Sequence, residues 1–184
     1  MKLDKYKLIE ELETEIRSQI DQVKTCFENA SETELQSPSA SGGWSIVQCL
    51  DHLNSYGLYY LPQISDALKK AERSETSIYH SGWLGDYFTK IMSPETGTKK
   101  FKAFKDHQPK GMLDSKRVIS EFLRQEELLL VYLGDAKHID MASVKVPVSI
   151  SRWIGIRLGD TFRFLLAHNK RHLLQALRIL NIEF

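Results

Sequence analysis

Residues 165–175 carry two histidines, His168 and His172, four positions apart on a stretch that otherwise follows the rhythm of a core-facing helix. At ~100° per residue, positions i and i+4 stand about 40° apart around the axis and one turn apart along it, so both imidazoles can reach one point. Leu165, His168, His172, Gln175 or Ala176, and Ile179 keep the spacing of a single seam. A parallel stripe of Phe162, Leu166, Leu173, Leu177 and Leu180 makes the neighbouring faces apolar as well. A helix apolar on several faces packs inside a bundle, and its imidazoles are then buried or line a cavity, where each needs a partner. That partner is either a core hydrogen bond or a shared metal ion. A third inward histidine would favour the metal.

Upstream periodicity supplies one. Residues 5–30 read as a first helix, with Ile9, Leu12, Ile16, Ile20, Val23 and Phe27 at helical spacing and Glu10, Glu11, Glu13 and Glu15 mostly on solvated faces. Residues 31–43 break the period with proline, serines and glycines and read as a connecting loop. Ser45 and Gln48 then form a capping-box pattern, with Trp44 placed as a hydrophobic staple. The second helix runs to about Glu72 on a seam of Ile46, Leu50, Leu53, Tyr60, Ile64 and Leu68, with a kink or break expected near Tyr59 because Pro62 follows. Beside that seam runs another, made of Cys49, His52, Tyr56 and Tyr59. His52 is the third inward histidine.

Residues 73–113 lack a sustained helical pattern apart from a short helix expected over 83–92. In a bundle, a connection this long reads as a crossover that lets successive helices run parallel. A third long helix starts near Asp114 as N-cap, carries Ile119, Phe122, Leu123, Leu130 and Leu133, and is expected to end at Gly134. Residues 144–148 alternate like a short strand, but Pro147 and the lack of a partner strand favour an extended connection draped over the bundle. The last helix is expected from Gly159 or Asp160 to about Leu180. The expectation is an all-α fold, a four-helix bundle with a long crossover between helices 2 and 3, as one domain over residues 1–184 with negligible sheet.

Composition narrows the partners. Lysine and arginine total 25 against 24 acidic residues, a net charge of +1, so no global field draws the chain to nucleic acid or an anionic membrane. The charged N-terminus lacks a signal-peptide pattern and no segment reaches the ~18 apolar residues of a membrane span. Two cysteines, Cys26 and Cys49, are too few for a disulfide framework. The chain therefore reads as soluble and cytoplasmic. Residues 99–110 interleave five lysines with Phe101 and Phe104, which reads as solubility of an exposed crossover, or more weakly as a local anion site. His80, His107 and His138 lack ligand spacing and read as surface residues.

His52, His168 and His172 offer a first-row metal three neutral nitrogen ligands and leave coordination positions free for water or substrate. Residues 43–53, from Gly43-Trp44-Ser45 to Asp51-His52-Leu53, and residues 158–175, from Leu158-Gly159-Asp160 through His168 and His172 to Gln175, resemble in type and order two motifs of the DinB and YfiT-like four-helix bundles. The helix, helix, crossover, helix, helix layout extends the resemblance over nearly the whole chain. It implies a bundle whose positions matching His52, His168 and His172 bind a divalent metal, commonly zinc or nickel, often within a homodimer. Some relatives are metal-dependent S-transferases acting with low-molecular-weight thiols such as bacillithiol or mycothiol, and others were first described as metal-dependent hydrolases.

Several neighbours of the triad carry two readings each. Cys49, one turn before His52, is a fourth-ligand candidate or a small buried apolar residue. Glu126 could orient a histidine or act as a base, or be a solvated carboxylate flanking the seam. Gln175 and Asn169 could hydrogen-bond ring nitrogens, Tyr56 and Tyr59 could line the pocket or simply pack, and Arg171 could hold a substrate carboxylate or meet solvent. The functional expectation is a metal-dependent enzyme joining a low-molecular-weight thiol to an electrophilic small molecule, with hydrolysis as its alternative. A reading of a different class is a non-catalytic bundle with a structural metal whose crossover binds a partner protein.

Overall fold

The computed structural model describes residues 1–39, 42–97 and 102–182. Four long helices dominate it: α1 (Lys5–Cys26), α3 (Ile46–Lys70), α5 (Ser115–Ala136) and α6 (Leu158–Leu177), joined by the shorter α2 (Glu32–Gln36) and α4 (Trp83–Met92). Each long helix but the last starts on a side-chain cap. Asp4 accepts from the Lys7 amide and Asp114 from the Arg117 amide, while Ser45 and Gln48 form the full capping box at the head of α3. The α3 and α5 helices pack closely, α6 lies against α3, and α1 lies across α5 and α6. A four-helix bundle results, as the periodicity leads one to expect.

On α3, Gly57 leaves room for the side-chain amide of Gln125 on α5. A Cβ there would stand 1.7 Å from Gln125 Oε1, whose amide group donates to the Asn54 carbonyl at 3.2 Å. Apolar side chains fill two clusters along the bundle. Ile9, Ile16, Tyr60, Ile64, Leu133 and Phe162 belong to one, and Val23, Phe27, Ile46, Leu50, Phe122 and Leu177 to the other. His52 follows Leu50 of the second cluster and precedes Tyr56 of the first; His168 and His172 lie between Leu166 of the first and Leu173 of the second. The three imidazoles thus fall where the two clusters meet.

Five local expectations are corrected. The first helix stops at Cys26, and the segment after it is not a plain loop: Ser31 and Glu34 build a capping box of their own that starts α2. Pro62 does not break α3, which continues to Lys70. Pro62 is exposed and Leu58, four residues earlier, is 63% exposed, so the carbonyl that loses its donor lies on the solvent face, where water can satisfy it. Gly134 does not end α5, which runs two residues further.

Residues 145–148 are a strand after all: β3 (Lys145–Val148) pairs antiparallel with β4 (Ser151–Arg157), with a register shift at Pro147/Val148, and the hairpin leads directly into α6 at Leu158. A second small ladder joins β1 (Lys2–Asp4) to β2 (Ile78–His80). The long connection between α3 and α5 is therefore partly ordered. Its α4 matches the short helix expected at 83–92, packs on α6, and is held there by Arg163, which pairs with Asp86 at 2.5 Å and Asp160 at 3.2 Å. No described helix is long and apolar enough to cross a membrane.

Candidate metal centre

The capping box fixes where α3 begins, and with it the face on which His52 emerges two turns later. His168 and His172 come from the middle of α6, one turn apart. The three side chains converge: one ring nitrogen from each lies within 4.8 Å of the others. His52 Nε2 and His168 Nε2 are 3.2 Å apart. Two nitrogens on a tetrahedral zinc, each at about 2.0–2.1 Å, would be separated by about 3.3 Å. The observed spacing fits that edge.

Protonation also fits. His52 and His168 are buried and His172 half-buried. Burial pushes His52 down to about 4 and His172 down to about 3, and burial together with the other two imidazoles holds His168 well below its ordinary range. All three rings are thus neutral near pH 7 and present lone pairs, as metal ligation requires. Two of them have a fixed tautomer. A carbonyl oxygen can only accept, so His52 Nδ1–H donates to the His107 main-chain oxygen at 2.6 Å; likewise His172 Nδ1–H donates to Gln175 Oε1 at 3.0 Å. In both rings Nε2 is left bare. His168 Nδ1 is buried with no hydrogen-bond partner among the described residues. Without a cation, His168 Nε2–H can donate to the bare His52 Nε2 across that 3.2 Å, which leaves the His168 Nδ1 and His172 Nε2 lone pairs as the uncompensated ones; a cation would take up the three Nε2 lone pairs together.

Aromatic side chains wall the cluster. Trp44 lies 4.8 Å from His52 and 5.8 Å from His172 between ring centroids, Tyr56 lies 4.4 Å from His168, and Phe164 stacks on His168 at 5.9 Å. Trp44 is therefore more than a helix staple. Tyr56 packs against the rings as expected, and Tyr59 donates to the Val148 carbonyl at 3.2 Å, tying α3 to the hairpin.

The remaining candidates separate. Gln175 is a ring partner, as anticipated. Asn169 is not: its amide donates to Glu126 Oε1 at 2.7 Å. Glu126 is not solvated but 1% exposed, and burial pushes its carboxyl up to about 8. Cys49 is fully buried within the apolar cluster, outside the histidine group, and burial lifts its thiol to about 12, which keeps it protonated. Arg171 donates to the carbonyls of Ile91 at 3.0 Å and Gly97 at 3.4 Å, bracing α6 against the end of α4, while its charge further disfavours protonation of His168 and His172.

His80 and His138 are exposed, but His107 is not a surface residue: it is 8% exposed, with its ring 4.0 Å from Tyr56. No spacing rule reaches it, because it arrives from the crossover through a single 3₁₀ turn, Lys105–His107. Of the basic segment, Lys99, Lys100 and Phe101 lie outside the described residues, whereas Lys102, Lys105, Lys110 and Phe104 are exposed.

The fold is a four-helix bundle that gathers three histidines from two helices at its core, a group that could hold a metal ion. The chain belongs to the DinB superfamily, whose family model matches residues 15–176. Among solved structures it is similar to YfiT from Bacillus subtilis, described as a probable metal-dependent hydrolase with an unusual four-helix bundle topology. That likeness has a TM-score of 0.57 at 15% identity and covers 96% of this chain and 86% of YfiT. It establishes the shared fold. No curated protein sequence matches the chain.

Proposed function

We propose that His52, His168 and His172 hold a divalent metal, zinc or nickel, and that the site joins a low-molecular-weight thiol to an electrophilic small molecule. The observation that carries the reading is the convergence of three imidazoles kept neutral by burial. When bound, the metal would supply a Lewis acid that lowers the pKa of a thiol or water reaching its free side.

The chain's own residues do the rest. His107 and Gln175 hold two ring nitrogens in the donor state, and Trp44, Tyr56 and Phe164 exclude water from the rings. His172 is the least buried of the three rings. Cys49, buried and protonated, is no nucleophile in this scheme. Hydrolysis is the second reading, favoured by the description of YfiT as a probable metal-dependent hydrolase.

Metal-loaded protein incubated with a panel of cellular thiols and a fluorogenic bimane should form conjugate above the uncatalysed rate, and the gain should vanish in His168→Ala and in chelated protein. Background rates with every thiol on protein shown to be loaded would reject thiol transfer. Hydrolysis of ester or amide probes by the same loaded protein would then support the second reading.

A further inference from the structure

The crossover turn Lys105–His107 reaches the metal centre through two hydrogen bonds, and they share one logic. Ser55, less than one turn after His52, places its hydroxyl oxygen 2.6 Å from the His52 carbonyl and 2.9 Å from His107 Nδ1. A hydroxyl has one hydrogen. Two oxygens at 2.6 Å need it between them, so Ser55 donates to the His52 carbonyl and accepts at its lone pair from His107 Nδ1–H. The side chain of His107 is thereby pinned to α3. Its main chain then delivers the carbonyl that accepts from His52 Nδ1 at 2.6 Å. The turn is braced twice more: the His107 ring packs on Tyr56 with centroids 4.0 Å apart, and Gln108 Nε2 closes back on the Ala103 carbonyl at 2.8 Å.

We propose that Ser55 and His107 are positioning residues, which clamp the crossover turn onto α3 so that the His107 carbonyl holds His52 in the one tautomer whose Nε2 faces His168 and His172. Without the clamp the carbonyl is free to leave. His52 then exchanges between tautomers, and its ring is no longer held toward the other two. Part of the site is thus preset by the chain before any metal arrives. The clamp itself rests on geometry alone, whereas its consequence for affinity rests on the metal-binding reading above.

The test uses the full-length protein with two readouts. In metal-free, ¹⁵N-labelled protein, long-range ¹H–¹⁵N correlation of the imidazoles reports the tautomer of His52. Wild type should show Nδ1–H alone, while Ser55→Ala and His107→Ala should each show mixed tautomers. In zinc-binding titrations against a chromophoric chelator, each single variant should lose about 10- to 100-fold in affinity, the usual effect of removing a group that orients a ligand. Because the two residues act through one clamp, the double variant should bind no more weakly than the weaker single.

A His52 that keeps one Nδ1–H tautomer in both variants overturns the proposal, as do zinc affinities equal to wild type. Losses that simply multiply in the double variant also overturn it, since they would mean two independent effects. Wild type that binds no zinc would reject the metal-binding reading, and the tautomer readout would still decide the clamp.

Discussion

Replacing Glu126 with glutamine should make the protein more stable at alkaline pH and leave it nearly unchanged at acid pH. Glu126 sits on α5 at 1% exposure, with one carboxyl oxygen accepting from Asn169 and the other without a hydrogen-bond partner among the described residues. Burial is the main reason its carboxyl is pushed up to about 8, with the Glu15 charge adding to it and the Asn169 hydrogen bond opposing it. The unfolded chain titrates at ~4.3. Between those values the native state keeps a proton that the unfolded state has released, so stability falls as pH rises through the window. It is fully present below about pH 4 and fully lost above about pH 8. At about 1.4 kcal/mol per tenfold change in proton affinity, the whole window corresponds to ~5 kcal/mol. Relaxation and water entry around the charge trim this to ~2–4 kcal/mol.

Glutamine has nearly the same shape, can still accept from Asn169, and never ionises. Urea unfolding followed by circular dichroism on metal-free protein, from pH 5 to pH 9, should therefore give two curves that separate as pH rises. The glutamine variant should lead by ~2–4 kcal/mol at pH 9 and by only ~1 kcal/mol at pH 5. The three histidines also titrate, but they do so in both proteins and cancel in the difference. Curves that run parallel over the whole range would refute a neutral buried carboxyl at Glu126.

Two further substitutions test the packing. At Gly159 an added Cβ would stand 2.6 Å from the Tyr79 ring, which is buried and rigid, so Gly159→Ala should cost ~1–3 kcal/mol in the same urea assay; a variant as stable as wild type would show that the α6 start can shift freely. At Pro62, an exposed position inside an unbroken helix, Pro62→Ala should restore a donor to the Leu58 carbonyl and raise stability by up to ~3 kcal/mol, whereas a loss would mean that α3 depends on the proline's geometry.

Helices were readable in this chain where one face alternated strongly and a cap stood before it. The Ser45–Gln48 box placed the start of α3 and Asp114 that of α5, each to the residue. The triad followed from the same periodicity, because His52, His168 and His172 each occupy a seam position that would otherwise be apolar. Pro62 misled because a proline's cost depends on whether the freed carbonyl meets solvent, which is a property of the packed helix. Residues 145–148 looked unpaired because their partner, Ser151–Arg157, does not alternate cleanly: Trp153 is 90% exposed beside exposed Arg152 and Ile154. His107 and Glu126 were hidden for a related reason. Their burial is decided by contacts distant in sequence, from Ser55 and Tyr56 to the one and from Asn169 to the other.

Whether the three histidines form one metal site is decided by metal content. Protein purified without a metal-affinity column, dialysed against zinc and then against buffer, should retain about one divalent metal per chain by elemental analysis. His52→Ala, His168→Ala and His172→Ala should each lose most of it, while His80→Ala, altering an exposed histidine on β2, should match wild type. Wild type and all four variants equally loaded, or equally free of metal, would mean that the three histidines hold no metal together.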